Sequence, residues 1–305
     1  MSSIDLNIGK DKDGNKIPID TSRSHAIFIL GMLLVLIVSS CTIGNIAFTK
    51  KAKEEAKEIF RGGKEIKPEV VTEEDIEGLP EPVQRYLKYT QIIGKEKIKT
   101  VRLKQGGYFR MKENRKWMPI KAEQYLNVDS VEFIWVAKVR FAPMLSIYAK
   151  DEFIDGKGNL VVKLLGFIKI VDAKGYEVDH GELLRFLAEC IWFPTAFLNE
   201  YEYIKWEAID DNSAKATISY KGVSASATFH FNEEGEVTNI TAERYREVDG
   251  KFALENWEGQ IIEYKMFNGI IVPNKVNIVW NLKSGDFCYD KVEIIDIEYN
   301  KPSVY

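Results

Sequence analysis

From Ile98 onward, apolar and polar residues alternate with a period of two, the spacing of strands that bury one face. The alternation is clearest where Val131, Phe133, Trp135, Ala137 and Val139 are interleaved with Glu132, Ile134, Val136, Lys138 and Arg140. Turn signals recur at Asp155–Asn159, Asn232–Gly235, Asp249–Gly250, Asn268–Gly269 and Ser284–Asp286. Between them the pattern predicts strands over 160–171, 217–231, 275–282 and 289–299. Gly106–Gly107, lying between strand-like residues, is expected to mark a bulge. Tight turns leave no length for helical crossovers, so the expected sheet is an antiparallel meander. Ten or more such strands would exceed the usual size of an open sheet, and the sheet is expected to curl into a half-barrel.

One segment breaks the period. Leu183, Leu184, Phe186, Leu187, Ala188, Cys190 and Ile191 recur at helical spacing, and Pro194 stops the run. Asp179 with Glu182 three residues later has the form of a capping box, which predicts a start near His180. A helix apolar over more than half its girth cannot lie in water, so this one is expected to plug the concave face of the sheet. A shorter helix is predicted over 79–89, with Pro82 in its first turn and Val83, Tyr86 and Leu87 on one face.

Residues 26–48 contain no charged side chain and are just long enough to cross a bilayer once. A single-pass anchor is the first reading. The second is a lipoprotein, because Val38-Ser39-Ser40-Cys41 has the form of a lipidation site with Cys41 as the acceptor. The division that follows is a polar tail (1–25), a membrane anchor (26–48), a solvated juxtamembrane helix and linker (49–65) and a β-rich main domain (66–305), expected on the extracytoplasmic side of the cell membrane.

The formal net charge of -4 gives no basic face for nucleic acid. Cys41, Cys190 and Cys288 lack metal-ligand spacing, and Cys190 with Cys288 could form a disulfide or stay as buried thiols. No zinc, phosphate-loop or nucleophile-elbow motif occurs, so neither metal nor cofactor is expected. Glu182, Arg185 and Glu189 stand on one stripe of the predicted helix. One reading is ion pairing within the helix in solvent, or with strand ends such as Arg244 or Lys283. Another is that Arg185 holds a ligand carboxylate or phosphate at the mouth of an apolar cavity. Glu182 and Glu189 are about 10 Å apart along the axis, too far for a glycosidase pair. His180 lies in the first turn and His230 on a polar strand face, and no catalytic residue is assigned. The candidate ligand-binding set is Arg185, Glu182, Leu184, Trp192, Phe193, Phe197 and Trp135, with the last of these either lining a cavity or filling the core along with Trp206, Trp257 and Trp280.

The blocks Pro82–Leu87, Trp117–Ala122, Asp179–Glu189, Trp192–Thr195 and Ser284–Phe287 resemble a bacterial and archaeal domain family of unknown function, often membrane-anchored. The resemblance spans about residues 79–300 and implies no activity. A long antiparallel sheet curled over an inserted helix also resembles the lipoprotein carriers LolA and LolB, whose half-barrel shelters acyl chains. That likeness is architectural. The function expected from these readings is a membrane-anchored, non-enzymatic module binding a lipid or other apolar ligand. The alternatives are an enzyme on a lipid or cell-envelope substrate, and a structural or partner-binding envelope domain.

Overall fold

The computed structural model describes residues 21–61, 68–142, 145–198 and 202–305, with only the backbone for residues 21–24 and 33–43. Helix α1 (Thr21–Arg61) comes first, and contacts divide the chain into two compact units, Met1–Ile43 and Gly44–Tyr305. In the first unit Ile27, Phe28, Ile29 and Leu30 are exposed. In the expected membrane segment the side chains of 33–43, that of Cys41 included, fall outside what the structure describes. Among the described residues no helix is long and apolar enough to cross a membrane.

The second unit is mainly β. Strands β1 (Thr100–Phe109), β2 (Met118–Asn127), β3 (Glu132–Ala142), β4 (Leu145–Ile154), β5 (Lys157–Leu164) and β6 (Ile168–Ala173) follow the short helix α2 (Glu81–Tyr89). Helix α3 (Tyr176–Glu189) then interrupts them. After it come β7 (Ile204–Asp210), β8 (Ser213–Tyr220), β9 (Val223–Phe231), β10 (Val237–Val248), β11 (Lys251–Phe267), β12 (Ile270–Leu282) and β13 (Gly285–Tyr299). All belong to one 13-stranded antiparallel sheet of order β6-β5-β4-β3-β2-β1-β13-β12-β11-β10-β9-β8-β7. The runs 160–171 and 217–231, expected as single strands, are hairpins. Their turns place Leu165 (φ 57°) with Gly166 (φ 81°), and Lys221 (φ 46°) with Gly222 (φ 84°). Tight hairpin turns need left-handed backbone at both central residues, and leucine and lysine do not advertise it. The bulge expected at Gly106–Gly107 lies one step away, between Lys104 and Gln105, with Ile295 of β13 as the extra residue. Gly107 (φ 139°) serves close approach instead: a Cβ there would stand 1.8 Å from the Lys291 carbonyl oxygen.

Helix α3 forces the curl. It touches β4 and β5 on one side and β8, β9 and β10 on the other. Strands β5 and β9 are nine steps apart in the sheet, about 43 Å if it were flat. One helix about 10 Å across can touch both only if the sheet wraps it. Phe186, Leu183 and Leu187 share a buried cluster with Phe133 and Phe153 and with Ala225, Ala227 and Phe229. The small residues on β8 and β9 let the helix settle close to that wall. At the seam Lys221 pairs with Asp155, and the Phe153 and Tyr220 rings lie 6.4 Å apart. The result is a half-barrel.

The start of α3 departs from the capping-box expectation. Its N-cap is Gly175 (φ 120°), and the helix begins at Tyr176. Asp179 reaches across to β5, where its carboxylate accepts from the Gly158 N–H at 2.7 Å and from Lys157 Nζ at 3.0 Å. Glycine is required at 158 because a Cβ would stand 2.7 Å from the Val178 carbonyl oxygen. The other end of the helix is tied to α2 through the Tyr86 hydroxyl, which donates to the Ile191 carbonyl at 3.0 Å.

The charged segment after the apolar run, expected to be solvated, is packed on the sheet's outer face. Phe48, Ala52, Ala56 and Ile59, spaced three or four apart, are buried against Tyr125, Ile134, Val136 and Tyr148. Lys53 bridges Glu123 (2.8 Å) and the Tyr305 carbonyl (3.0 Å), and Asn127 Nδ2 donates to the Ile59 carbonyl (2.7 Å).

Replacing Gly158 with Ala should lower unfolding stability by about 1–3 kcal/mol through the forced separation of α3 from β5. Urea denaturation checks it, and an unchanged midpoint would mean that the helix is not seated on that glycine.

Candidate functional site

The strand registers organise the concave face into rows. Val101, Leu126, Phe133, Phe153 and Gly158 are partners across β1–β5 and form the row beneath α3. The next row is Leu103, Gln124, Trp135, Asp151 and Leu160. Beyond it come Gln105, Ala122, Ala137, Ala149 and Val162, then Gly107, Ile120, Val139, Ile147 and Leu164. Large apolar residues, a polar belt, a line of alanines and a second apolar band follow one another away from the helix.

The polar belt meets the charged stripe of α3. Arg185 Nη1 donates to Asp151 Oδ2 at 2.6 Å and its Nε to Glu189 Oε1 at 2.8 Å. Gln124 Nε2 donates to Glu189 Oε2 at 2.5 Å, Gln105 Nε2 to Gln124 Oε1 at 3.4 Å, and Trp135 Nε1 to Gln105 Oε1 at 2.6 Å. The Arg185 guanidinium lies 4.7 Å from the Trp135 ring centre and 5.2 Å from that of Phe133. One chain of hydrogen bonds therefore runs from the sheet to the helix through buried groups. On the opposite wall Arg244 donates to the Gly181 carbonyl and to the Tyr289 hydroxyl, both at 3.4 Å, and Trp257 Nε1 donates to the same hydroxyl at 3.1 Å.

Glu182 is 6% exposed, and its Oε2 is buried without a hydrogen-bond partner. Asp151 Oδ1 and Asp290 Oδ1 share that condition. Burial pushes the Glu182 carboxyl up to about 8, and the Asp151 charge adds to the effect. Burial likewise raises Asp290 to about 7 and lifts Asp151, against the pull of Arg185. Burial lowers the His180 imidazole, whose ring lies 5.2 Å from that of Tyr245. Buried acceptors are nearly always paired, so the unpaired oxygens of Glu182 and Asp151 need either protons or a donor from outside the chain.

The sequence-selected residues separate into two sets. Arg185, Glu182 and Trp135 come together in the polar belt. Arg185 is not open at a mouth; two of its nitrogens are held by carboxylates, and its main partner is Asp151 rather than a strand-end residue. Leu184, Trp192, Phe193 and Phe197 are buried in the cluster under the helix. Cys190 is buried and Cys288 half-buried, both as free thiols. His230 is half-buried, with Nε2 3.1 Å from Thr241 Oγ1. Among the described residues no group of three His, Cys, Asp or Glu is placed to hold a metal ion.

Sequence reasoning missed Gln124, Asp151, Asp290 and the alanine row. A signal was present: Gln124 lies between Ala122 and Leu126, and Asp151 between Ala149 and Phe153, each a polar residue at an inward strand position. The alanine row has a distinct environment. Ile120, Ala122, Ala137 and Val139 form a buried cluster with Phe109, Met118, Trp135, Ile147 and Ala149, all of them strand residues. Trp135, Ile147, Ala149, Val162 and Leu164 are only half-buried.

The sequence model of a family of unknown function, DUF6544, matches residues 69–292. No curated protein matches the chain. Among solved structures it is similar to a LolA superfamily protein from Nitrosomonas europaea, with 11% identity, a TM-score of 0.38 and coverage of 72% of this chain and 94% of that one. It is also similar to a DUF1329 family protein from Desulfovibrio piger, with 9% identity, a TM-score of 0.41 and coverage of 72% and 92%.

Arg185→Ala leaves Asp151 and Glu189 buried without their counter-charge and should cost about 3–5 kcal/mol in chemical denaturation; a cost below about 1 kcal/mol would place the pair effectively in water. Stability should also depend on pH in a defined direction. The folded chain keeps protons on Glu182 and Asp290 where the unfolded chain, with ordinary values of 4.5 and 3.8, has released them. Stability is therefore greatest at the acid end of this range and falls as pH rises from about 4 to about 8. Glu182→Gln should flatten that slope, and equal slopes in the two proteins would remove Glu182 as its source.

Proposed function

Because this chain belongs to the DUF6544 family of unknown function, which brings no activity with it, we propose its function from geometry: a membrane-tethered, non-catalytic module that binds a lipid or similar apolar ligand in the open part of the half-barrel. The observation that carries the reading is the contrast between the two parts of the concave face. Under α3 the residues are packed and buried; past the polar belt, buried Ala122 and Ala137 and half-buried Ala149 lie in register among half-buried Trp135, Ile147, Val162 and Leu164. Apolar surface left half-covered inside a concave wall, with a few convergent polar groups at one end, is the usual form of a small-molecule site. The alanines supply width where bulky residues would fill it.

The polar belt gives the ligand an orientation. An apolar chain would lie along the alanine row, and a hydroxyl or amine at its inner end could donate to Asp151 Oδ1 or Glu182 Oε2, buried acceptors without partners. Arg185 and Trp135 form the floor at that end. The uncharged run 26–48 supports the tether, as a single span or through lipidation of Cys41, with the β-rich unit held at the cell membrane on its extracytoplasmic side.

The test is direct. Protein purified from membranes should carry a lipid mass in native mass spectrometry and should exchange it for a fluorescent long-chain alcohol. Ala149→Phe, which fills the row from a half-buried position, should weaken that binding at least tenfold with little change in unfolding midpoint. Binding by wild type and variant alike would move the ligand elsewhere; no lipid and no binding by wild type would end the proposal.

A further inference from the structure

In an antiparallel sheet alternate hairpins fall at the same end, so the turns β1–β2, β3–β4 and β5–β6, on six neighbouring strands, share one end. It is the end toward which the rows run away from α3, since Phe109 and Met118 are the last pair of β1 and β2. These turns and their flanks carry large apolar side chains in water: Met111, Phe141, Leu145, Phe167 and Ile168 are each 37–60% exposed. The opposite turns of these strands, Asp129-Ser130 and Asp155-Gly156, are as polar as a solvated turn should be. Scattered exposed apolar residues are normal on a protein; five gathered on three neighbouring turns make a contact surface.

Two further observations fix what it contacts. The β1–β2 turn holds Arg110, Lys112, Arg115 and Lys116 against Glu113 alone, in a chain whose net charge is -4. Gly44, the first residue of the β-rich unit, lies at this end, where a Cβ on it would meet Gly166 and Phe167 at 3.3 Å. In sequence, the apolar run leads directly into Gly44.

We infer that this end of the half-barrel is a docking face for the surface of an anionic lipid bilayer, with the apolar turn residues entering the headgroup region and the basic β1–β2 turn meeting lipid phosphates. Apolar burial combined with electrostatic attraction is the general basis of interfacial binding. The trough then opens toward the bilayer, and a lipid can enter it without crossing water. The inference rests on the tethered reading above but fails separately from it.

The test uses the full chain reconstituted in nanodiscs that contain an anionic phospholipid and a phospholipid with a photoactivatable acyl chain. After illumination, mass spectrometry should find lipid adducts in 109–118 and 165–170, and none in 128–131 or 155–156. Adducts on these turns without any in 26–48 would support docking and remove the tether. Adducts confined to 26–48, or spread equally over both ends, would overturn docking while leaving the tether. The double variant Phe141→Glu, Phe167→Glu should cut the turn adducts at least fivefold with an unchanged unfolding midpoint; equal labelling in the folded variant would also overturn it.

Discussion

The Arg185 guanidinium, held between Asp151 and Glu189 over the rings of Trp135 and Phe133, is the constraint on which the concave face depends. A helix wrapped by a sheet must bury every side it presents, and α3 presents charge as well as leucine. The charged stripe can be enclosed only where the sheet offers a matching polar row, and the register of β1–β5 offers one row away from the helix. Such a network contributes little net stability over an apolar replacement, but breaking it strands a charge in the interior. Its structural effect is to set a boundary: apolar packing is continuous on the helix side, and the other side remains without a covering helix.

Much of this architecture was legible in the chain. Alternation from Ile98 onward and turns too short for crossovers gave the antiparallel meander, and the excess of strands gave the curl. The helical spacing from Leu183 to Ile191 gave the inserted helix. Hairpins at Leu165-Gly166 and Lys221-Gly222 were hidden because neither pair has the usual Asn-Gly or Asp-Gly form, and the strands on either side keep the same alternation. The start of α3 was misplaced because Asp179 satisfies a strand N–H instead of its own helix, a choice that depends on Gly158 being close. The segment after Lys50 looked solvated because its lysines and glutamates outnumber its apolar residues; the small face of Ala52 and Ala56 is what packs.

The candidate site was legible only on the helix. Glu182 and Arg185 stood out as charges on an apolar element, and Trp135 as a ring on an inward strand face. Their partners did not, because Asp151 and Gln124 reach them through strand pairings that join residues distant in sequence. The alanine row is of the same kind: Ala122, Ala137 and Ala149 are unremarkable one at a time and acquire meaning only in register. Leu184, Trp192, Phe193 and Phe197, chosen for their apolar bulk, fill space under the helix.

The central claim is that the space over those alanines takes an apolar chain. It is tested most directly by the anomalous scattering of bromine in crystals of the protein bound to a long-chain alcohol brominated along its length. The account predicts bromine over Ala122, Ala137 and Ala149, with the hydroxyl toward Asp151. Bromine lodged between α3 and Phe133, or on the outer face of the sheet, would contradict it.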